Sequence, residues 1–396
     1  MERRHDIDTL RVLAFGLLIL YHVGMVYVAP VSDWGFNMKS DYLAPWLTYP
    51  MLFLNRWRME LLFLISGLAV HFLRGRVSLG RLAAKRSWRL LLPLVFGMLV
   101  VVPVQPYVEG VSKGDITPGF LAFLPYYWAH GYKAYGLTWN HLWYLPYLWL
   151  YTMVLLAMLP AMESHPGRTL RAWLQRLRGG PLLLLPALPL IFAGTLNERF
   201  PETHALVGDW YAHALYFTMF LYGYLIGTDQ GLWKELARLR RASLVTALTC
   251  FALYLFLDKF AGAVIHHRLT PTSICIGHVL IQTLRYLYCW TAIVAILGWG
   301  HAYLNRPFRW LPYAREAVYP WYVLHQSVML WLAYGLLPMH LGPVLEPVLM
   351  VLGTAAGCAV IHEVVIRRTR WLRPLFGLDA QNRTRVEAPR LAGESA

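Results

Sequence analysis

Ten apolar stretches, most of them bilayer-length, run through this chain, and clusters of arginine and lysine lie between alternate ones. They cover Leu10–Ala29, Trp57–Leu73, Leu90–Val104, His141–Met162, Pro181–Leu196, Tyr211–Thr228, Ala242–Phe260, Thr272–Leu304, Ala317–Leu337 and Val344–Ile366. The third and fifth are the shortest, and the eighth is long enough to continue past a bilayer. About 20 apolar residues of helix span the ~30 Å hydrocarbon core. Every backbone polar group there has to be paired internally, which leaves helices or closed barrels. The expected fold is therefore all-α: a polytopic integral membrane bundle of about ten helices. Composition agrees, with 58% hydrophobic and only 14% charged residues, where soluble domains carry roughly a quarter charged. A soluble enzyme, a disordered chain and a disulfide scaffold are all disfavoured. The four cysteines lie in apolar stretches without a CxxC, so no disulfide framework or metal site is implied.

The net charge of +15 would suggest nucleic acid in a soluble domain. Its distribution gives another reading. With the N-terminus inside, 27 of the basic residues fall in cytoplasmic segments and 8 outside, while Arg285 lies within a span. Lys and Arg are retained on the cytoplasmic side, so the charge records topology, with both termini cytoplasmic and no nucleic-acid partner. Dropping the fifth segment would turn the basic runs at Lys234–Arg241 and Arg306–Arg315 outward, so it is kept. The first segment is too long for a cleavable signal and contains His22, and Tyr27 fits badly at −3 of a cut after Ala29. Residues 1–378 are expected to form the membrane domain, and 379–396 a polar, disordered tail. No internal repeat stands out.

Within the first span, Arg11 and His22 are eleven residues apart. At about 100° per residue they share one helix face, about 16 Å apart along the axis. An ionisable residue near the bilayer midplane, where His22 is expected, is a functional-site hypothesis by default. The plainer alternative is a neutral His bonded between helices, with Arg11 snorkelling to the headgroups.

Four patches occur in order: HDIDTLRVLAFGLLILYH at the start, RMELLFLISG from Arg58, HLWYL from His141, and YPWYVLHQSV from Tyr319. Together they resemble the membrane-bound acyltransferase 3 family, most closely its glucans biosynthesis protein C branch. The resemblance spans roughly residues 3 to 330, in patches. It implies acyl transfer across a bacterial inner membrane. An acyl-CoA-type donor would supply a succinyl or acetyl group from the cytoplasm to a hydroxyl of a periplasmic or surface glycan. It makes His22 the expected catalytic residue and Arg11 a donor contact. No bound cofactor and no metal are expected.

The chemistry suits those residue types. A sugar hydroxyl needs a base, and histidine has its pKa near operating pH. His22 could act as that base or carry the acyl group itself. Arg86 and Arg89, level with Arg11, could pair bidentately with donor phosphates, or only set topology. Arg58, Glu60, His141 and His325 are expected to contact the acceptor or support His22. Arg58 could equally pair with a neighbouring carboxylate, and His325 could be a structural hydrogen-bonding residue. Ser66-Gly67 reads as a close helix contact. Trp143, Tyr144 and the tyrosines of the sixth span read as packing and interface-belt aromatics. Arg285 needs a partner that the sequence does not identify. His362-Glu363 does not complete HExxH, because position 366 is Ile366. The alternative function is a transporter or flippase of a glycan or acyl intermediate, which broken helices in two matching halves would favour.

Overall fold

The computed structural model describes residues 4–29, 36, 38–227, 229–264 and 271–380. Most of the expected 379–396 tail lies outside these residues. Among the described residues the ordered elements are helical, apart from an isolated bridge between Gly131 and Leu137. The principal helices are α1 (His5–Tyr27), α2 (Arg58–Arg74), α3 (Leu79–Phe96), α4 (Val104–Lys113), α5 (Tyr144–Glu163) and α6 (Ala187–Thr195). They continue with α7 (Trp210–Ile226), α8 (Gln230–Val264), α9 (Pro271–Tyr303), α10 (Leu311–Leu336) and α11 (Leu345–Val360).

Helix thus forms on each of the ten expected stretches. Among the described residues six helical runs are long and apolar enough to cross a membrane, or seven if His165–Gln175 and Gly179–Thr195, bent by 111°, form one span. The three expected spans outside that set are α2, α7 and α10. Helices α2 and α7 have 17 residues each, about 25 Å and so short of a bilayer core. Helix α10 has 26 residues but is diluted by Arg315, Glu316, His325, Gln326 and Ser327. The third stretch, expected to be short, instead belongs to a 35-residue run, Leu79–Lys113. Its helix α3 passes through a π-turn at Gly97–Val101 before α4 begins. A second π-turn, Ile361–Ile366, follows α11.

Helices α2 and α7 cross with their backbones touching. A Cβ on Gly67 would lie 1.8 Å from the Phe220 carbonyl oxygen, and one on Gly223 would lie 1.8 Å from that of Leu64. Close packing at Gly67 is what its sequence context suggested, and small residues are what permit it. Ser66 serves otherwise: its Oγ is 2.6 Å from the Tyr144 hydroxyl.

The basic segments gather at one end of the bundle. Arg4 lies over the Trp233 ring at 3.8 Å, and the His5 amide donates to Asn305 Oδ1. Arg315 pairs with Asp8, Arg367 with Glu316, and Arg74 with Glu163. Acidic Asp6 and Asp8 in the first turn of α1 also complement that helix's positive end. At the opposite end Ser40 donates to Glu346 at 2.6 Å, and Trp139 donates to the His204 carbonyl at 2.9 Å.

Candidate active site

Helix α1 packs on α10, and this contact joins two residues 303 positions apart in the chain. His22 Nδ1 lies 3.0 Å from His325 Nε2. His141, just before α5, meets the His325 ring edge-on at 5.2 Å between centroids. His22 is half-buried, while His141 and His325 are buried. Because α1 ends at Tyr27, His22 is five residues from that end, about 8 Å. His325 lies near the middle of α10.

Backbone carbonyls fix the direction of this hydrogen-bond chain. His325 Nδ1 faces the carbonyls of Tyr322 and Trp321 at 2.8 and 3.2 Å. A carbonyl only accepts, so that nitrogen carries the proton, and the neutral ring presents Nε2 as an acceptor. His22 therefore donates from Nδ1, which leaves a lone pair on its Nε2. The same logic orders His141. Its Nε2 donates to the Val323 carbonyl at 3.2 Å, and its Nδ1 accepts from Gln105 Nε2 at 2.9 Å. Gln105 also donates to Ser327 Oγ, which donates to the Val101 carbonyl. The Tyr322 hydroxyl donates to the His141 carbonyl at 2.8 Å. A ring whose other nitrogen is so occupied is held in one tautomer and orientation.

Arg58 and Glu60 open α2 and are both buried, at 4% and 6% exposure. The Arg58 guanidinium lies over the Tyr21 ring at 3.7 Å, and it is within electrostatic reach of both His22 and His325. Among the described residues its Nε and Nη1 have no hydrogen-bond partner, nor has Glu60 Oε2. Unpaired buried donors are costly, and here they sit beside the histidine pair. Beyond them, Glu202 receives the Tyr216 hydroxyl at 2.6 Å and pairs with His204 Nε2 at 2.7 Å. Burial pushes the Glu202 carboxyl up, but the bonds from His204 and Tyr216 outweigh it and hold it below its ordinary value. His204 stacks on Trp143 at 3.9 Å. Arg285 has its partners in tyrosines: it donates to the Tyr211 hydroxyl at 3.2 Å and lies 5.3 Å from the Tyr286 ring centroid.

The residues expected to meet the donor divide. Arg86 is within electrostatic reach of both Arg11 and Arg89. Arg86 is half-buried, with Nε and Nη2 unpartnered. Arg89 is exposed, and its carbonyl accepts from the Tyr319 hydroxyl. Arg11 pairs with Asp8 at 3.1 Å. The aromatics read as belt residues are mostly internal. Tyr144, Tyr211, Tyr216 and Tyr224 are buried, because their hydroxyls find partners between helices and their rings fill the core. Gln105, Ser327, Tyr322 and Glu202 escaped the sequence reading, since each is an ordinary polar residue until the fold places it. Among the described residues no cluster of three or more metal-ligating side chains occurs.

A narrow apolar slot of about 160 Å3 runs between α1 and α10. Its walls include Val12, Gly16, Ile19, Tyr313, Trp321 and His325. From Tyr313 to His325 the slot covers twelve residues of helix, about 18 Å.

The described residues thus form a helical bundle with six runs long and apolar enough to cross a membrane, and an oriented imidazole pair beside an apolar slot. Residues 4–363 match the acyltransferase-domain family, Acyl_transf_3. The chain belongs to that family, which makes it an acyltransferase. No curated protein and no solved structure matches the chain significantly.

Proposed function

We propose that this protein is an inner-membrane O-acyltransferase with ten spans and cytoplasmic termini. It moves a succinyl or acetyl group from a cytoplasmic acyl-CoA to a hydroxyl of a periplasmic or surface glycan. The observation that carries this reading is the hydrogen-bond order through His325, which leaves His22 Nε2 as a base. The acceptor hydroxyl gives its proton to His22 Nε2 as its oxygen attacks the thioester carbonyl. The C–S bond then breaks, and the imidazolium returns the proton to the departing thiolate. Arg58, with two unpartnered N–H groups beside the pair, is suited to meet negative charge on the carbonyl oxygen. Arg11 and Arg86 are suited to the donor's phosphates, and Glu60, Glu202 and Trp143 to the acceptor. The thioester is already activated, so no ATP enters.

His22→Ala tests the reading. The variant is expected to accumulate in membranes while acylation of the envelope glycan, read by mass spectrometry, disappears. Normal acylation would refute the mechanism. An added mass of about 100 Da marks succinyl and about 42 Da acetyl in such a hydroxyl transfer. A trapped acyl adduct on His22 would replace general base by acyl carrier.

A further inference from the structure

The slot has a second end, and what lies there was not among the residues expected to bind the donor. Tyr313, which lines the slot far from His325, has the guanidinium of Arg367 over its ring at 5.7 Å and His362 edge-on at 5.9 Å. Immediately beyond is a cavity of about 450 Å3, lined by Arg367, Arg368, Arg370, Arg373 and Glu363. Four arginines around one cavity are more than the local carboxylates neutralise. Arg367 is engaged by Glu363 at 3.0 Å and by Glu316 at 3.5 Å, and the buried Arg373 by Glu316 at 3.3 Å. These three ion pairs hold the wall in shape. Arg368 and Arg370 are exposed, and no protein carboxylate pairs with either among the described residues.

A polycationic basin, an apolar slot about 18 Å long, and an ordered histidine pair therefore follow one another along α10. A ligand matching this sequence has a multiply phosphorylated head, a slender neutral arm and a reactive group at its tip. An acyl-CoA has that plan. We infer that the basin formed by Arg367, Arg368, Arg370 and Arg373 holds the phosphorylated nucleotide of the donor, with the arm in the α1–α10 slot. This rests on the acyl-CoA reading above and moves the donor's phosphates from Arg11 and Arg86 to the segment beyond α11. The shared chemistry is a cluster of phosphate esters, which an anionic lipid headgroup also offers.

The test is binding of unacylated CoA to the full-length protein in a neutral detergent, followed by calorimetry. Wild type is compared with the double variant Arg368→Gln, Arg370→Gln, and with Arg86→Gln. Because Arg368 and Arg370 are exposed, their loss leaves the packed wall intact, and equal melting temperatures would confirm it. The double variant is expected to bind CoA at least tenfold more weakly, with binding of pantetheine, which lacks the nucleotide, unchanged. CoA affinity unchanged in the double variant, or no binding of CoA by wild type, would overturn the assignment. So would CoA affinity that is unchanged in detergent while the double variant loses binding only to phosphatidylglycerol vesicles, since the basin would then serve lipid. The two readings fail separately. Weakened CoA binding in the variant with no glycan acylation by wild type would retain the basin and refute the glycan reaction. Acylation by wild type with unaltered CoA binding in the variant would do the reverse.

Discussion

A single proton position decides what His22 can do, and His22 does not set it. The carbonyls of Trp321 and Tyr322 set it through His325. His325 is thus a positioning residue. His325→Asn is expected to lower kcat by about 10²–10⁴-fold, the span attributed to general base catalysis. The KM for donor should change little, and the pH–rate profile should lose its imidazole limb. A proportional rise in donor KM with the profile intact would make His325 a structural residue only. Glu202 gives a second test at this scale. Its carboxyl is held below its ordinary value by His204 and Tyr216. A depressed carboxyl stabilises the fold above its unfolded value, near pH 4.3 for glutamate, and that contribution is lost as pH falls through the folded value. Glu202→Gln should therefore cost about 1–3 kcal/mol near neutrality and nothing in acid. Thermal melts across pH in neutral detergent would read this; a constant difference at all pH values would argue against it. Arg11 and His22 could be singled out from sequence because helical spacing puts them on one face. The ordering of the histidine cluster could not, because Gln105, His141 and the His325–Ser327 stretch come from three separate places in the chain.

At the scale of helices, the sequence predicts what depends on local apolarity and misses what depends on contact. Helix over each expected stretch follows from internal backbone pairing. The fate of the tyrosines does not, since a tyrosine suits a lipid interface and a helix–helix seam equally well. The crossing of α2 and α7 shows the difference. Ser66-Gly67 announces a close approach, but its partner Gly223 lies in a run with no distinguishing pattern. Here backbone meets backbone, with no flexible side chain to yield. Gly67→Val forces the two helices apart and with them Arg58 at the start of α2 and Tyr216 on α7. It should destabilise by at least the roughly 1–3 kcal/mol typical of overpacking, seen as a lower melting temperature in detergent. A matched substitution at Gly80, where a Cβ would meet nothing, should have a small effect. Equal melting temperatures for the two variants would mean that the crossing carries no such constraint.

For the whole molecule, the number of crossings has to agree with where the ends lie. Arg315 at the start of α10 pairs with Asp8 at the start of α1, and Arg367 beyond α11 pairs with Glu316 beside it. The chain therefore enters α1 and leaves α11 at the same end of the bundle. Returning to the same end takes an even number of crossings, so seven is excluded as a count if the bundle lies across a bilayer. The short helices α2 and α7 and the polar helix α10 are the three that length and composition leave out, and adding all three makes ten. Their shortness and polarity are consistent with crossing inside the bundle. Much of each is buried, so neighbouring helices rather than lipid meet their polar groups. The expected result is that reporters fused after Arg76, Arg176, Arg241, Arg309 and Leu378 all read as cytoplasmic, and those after Lys113 and Arg199 as external. The 27 to 8 division of basic residues predicts the sign of each. A reporter after Arg241 or Arg309 that reads as external would break both the even count and the gathering of basic segments at one end. The proposed transfer across the membrane, which needs the arginine basin and the His22 end of α1 at opposite faces, would fail with them.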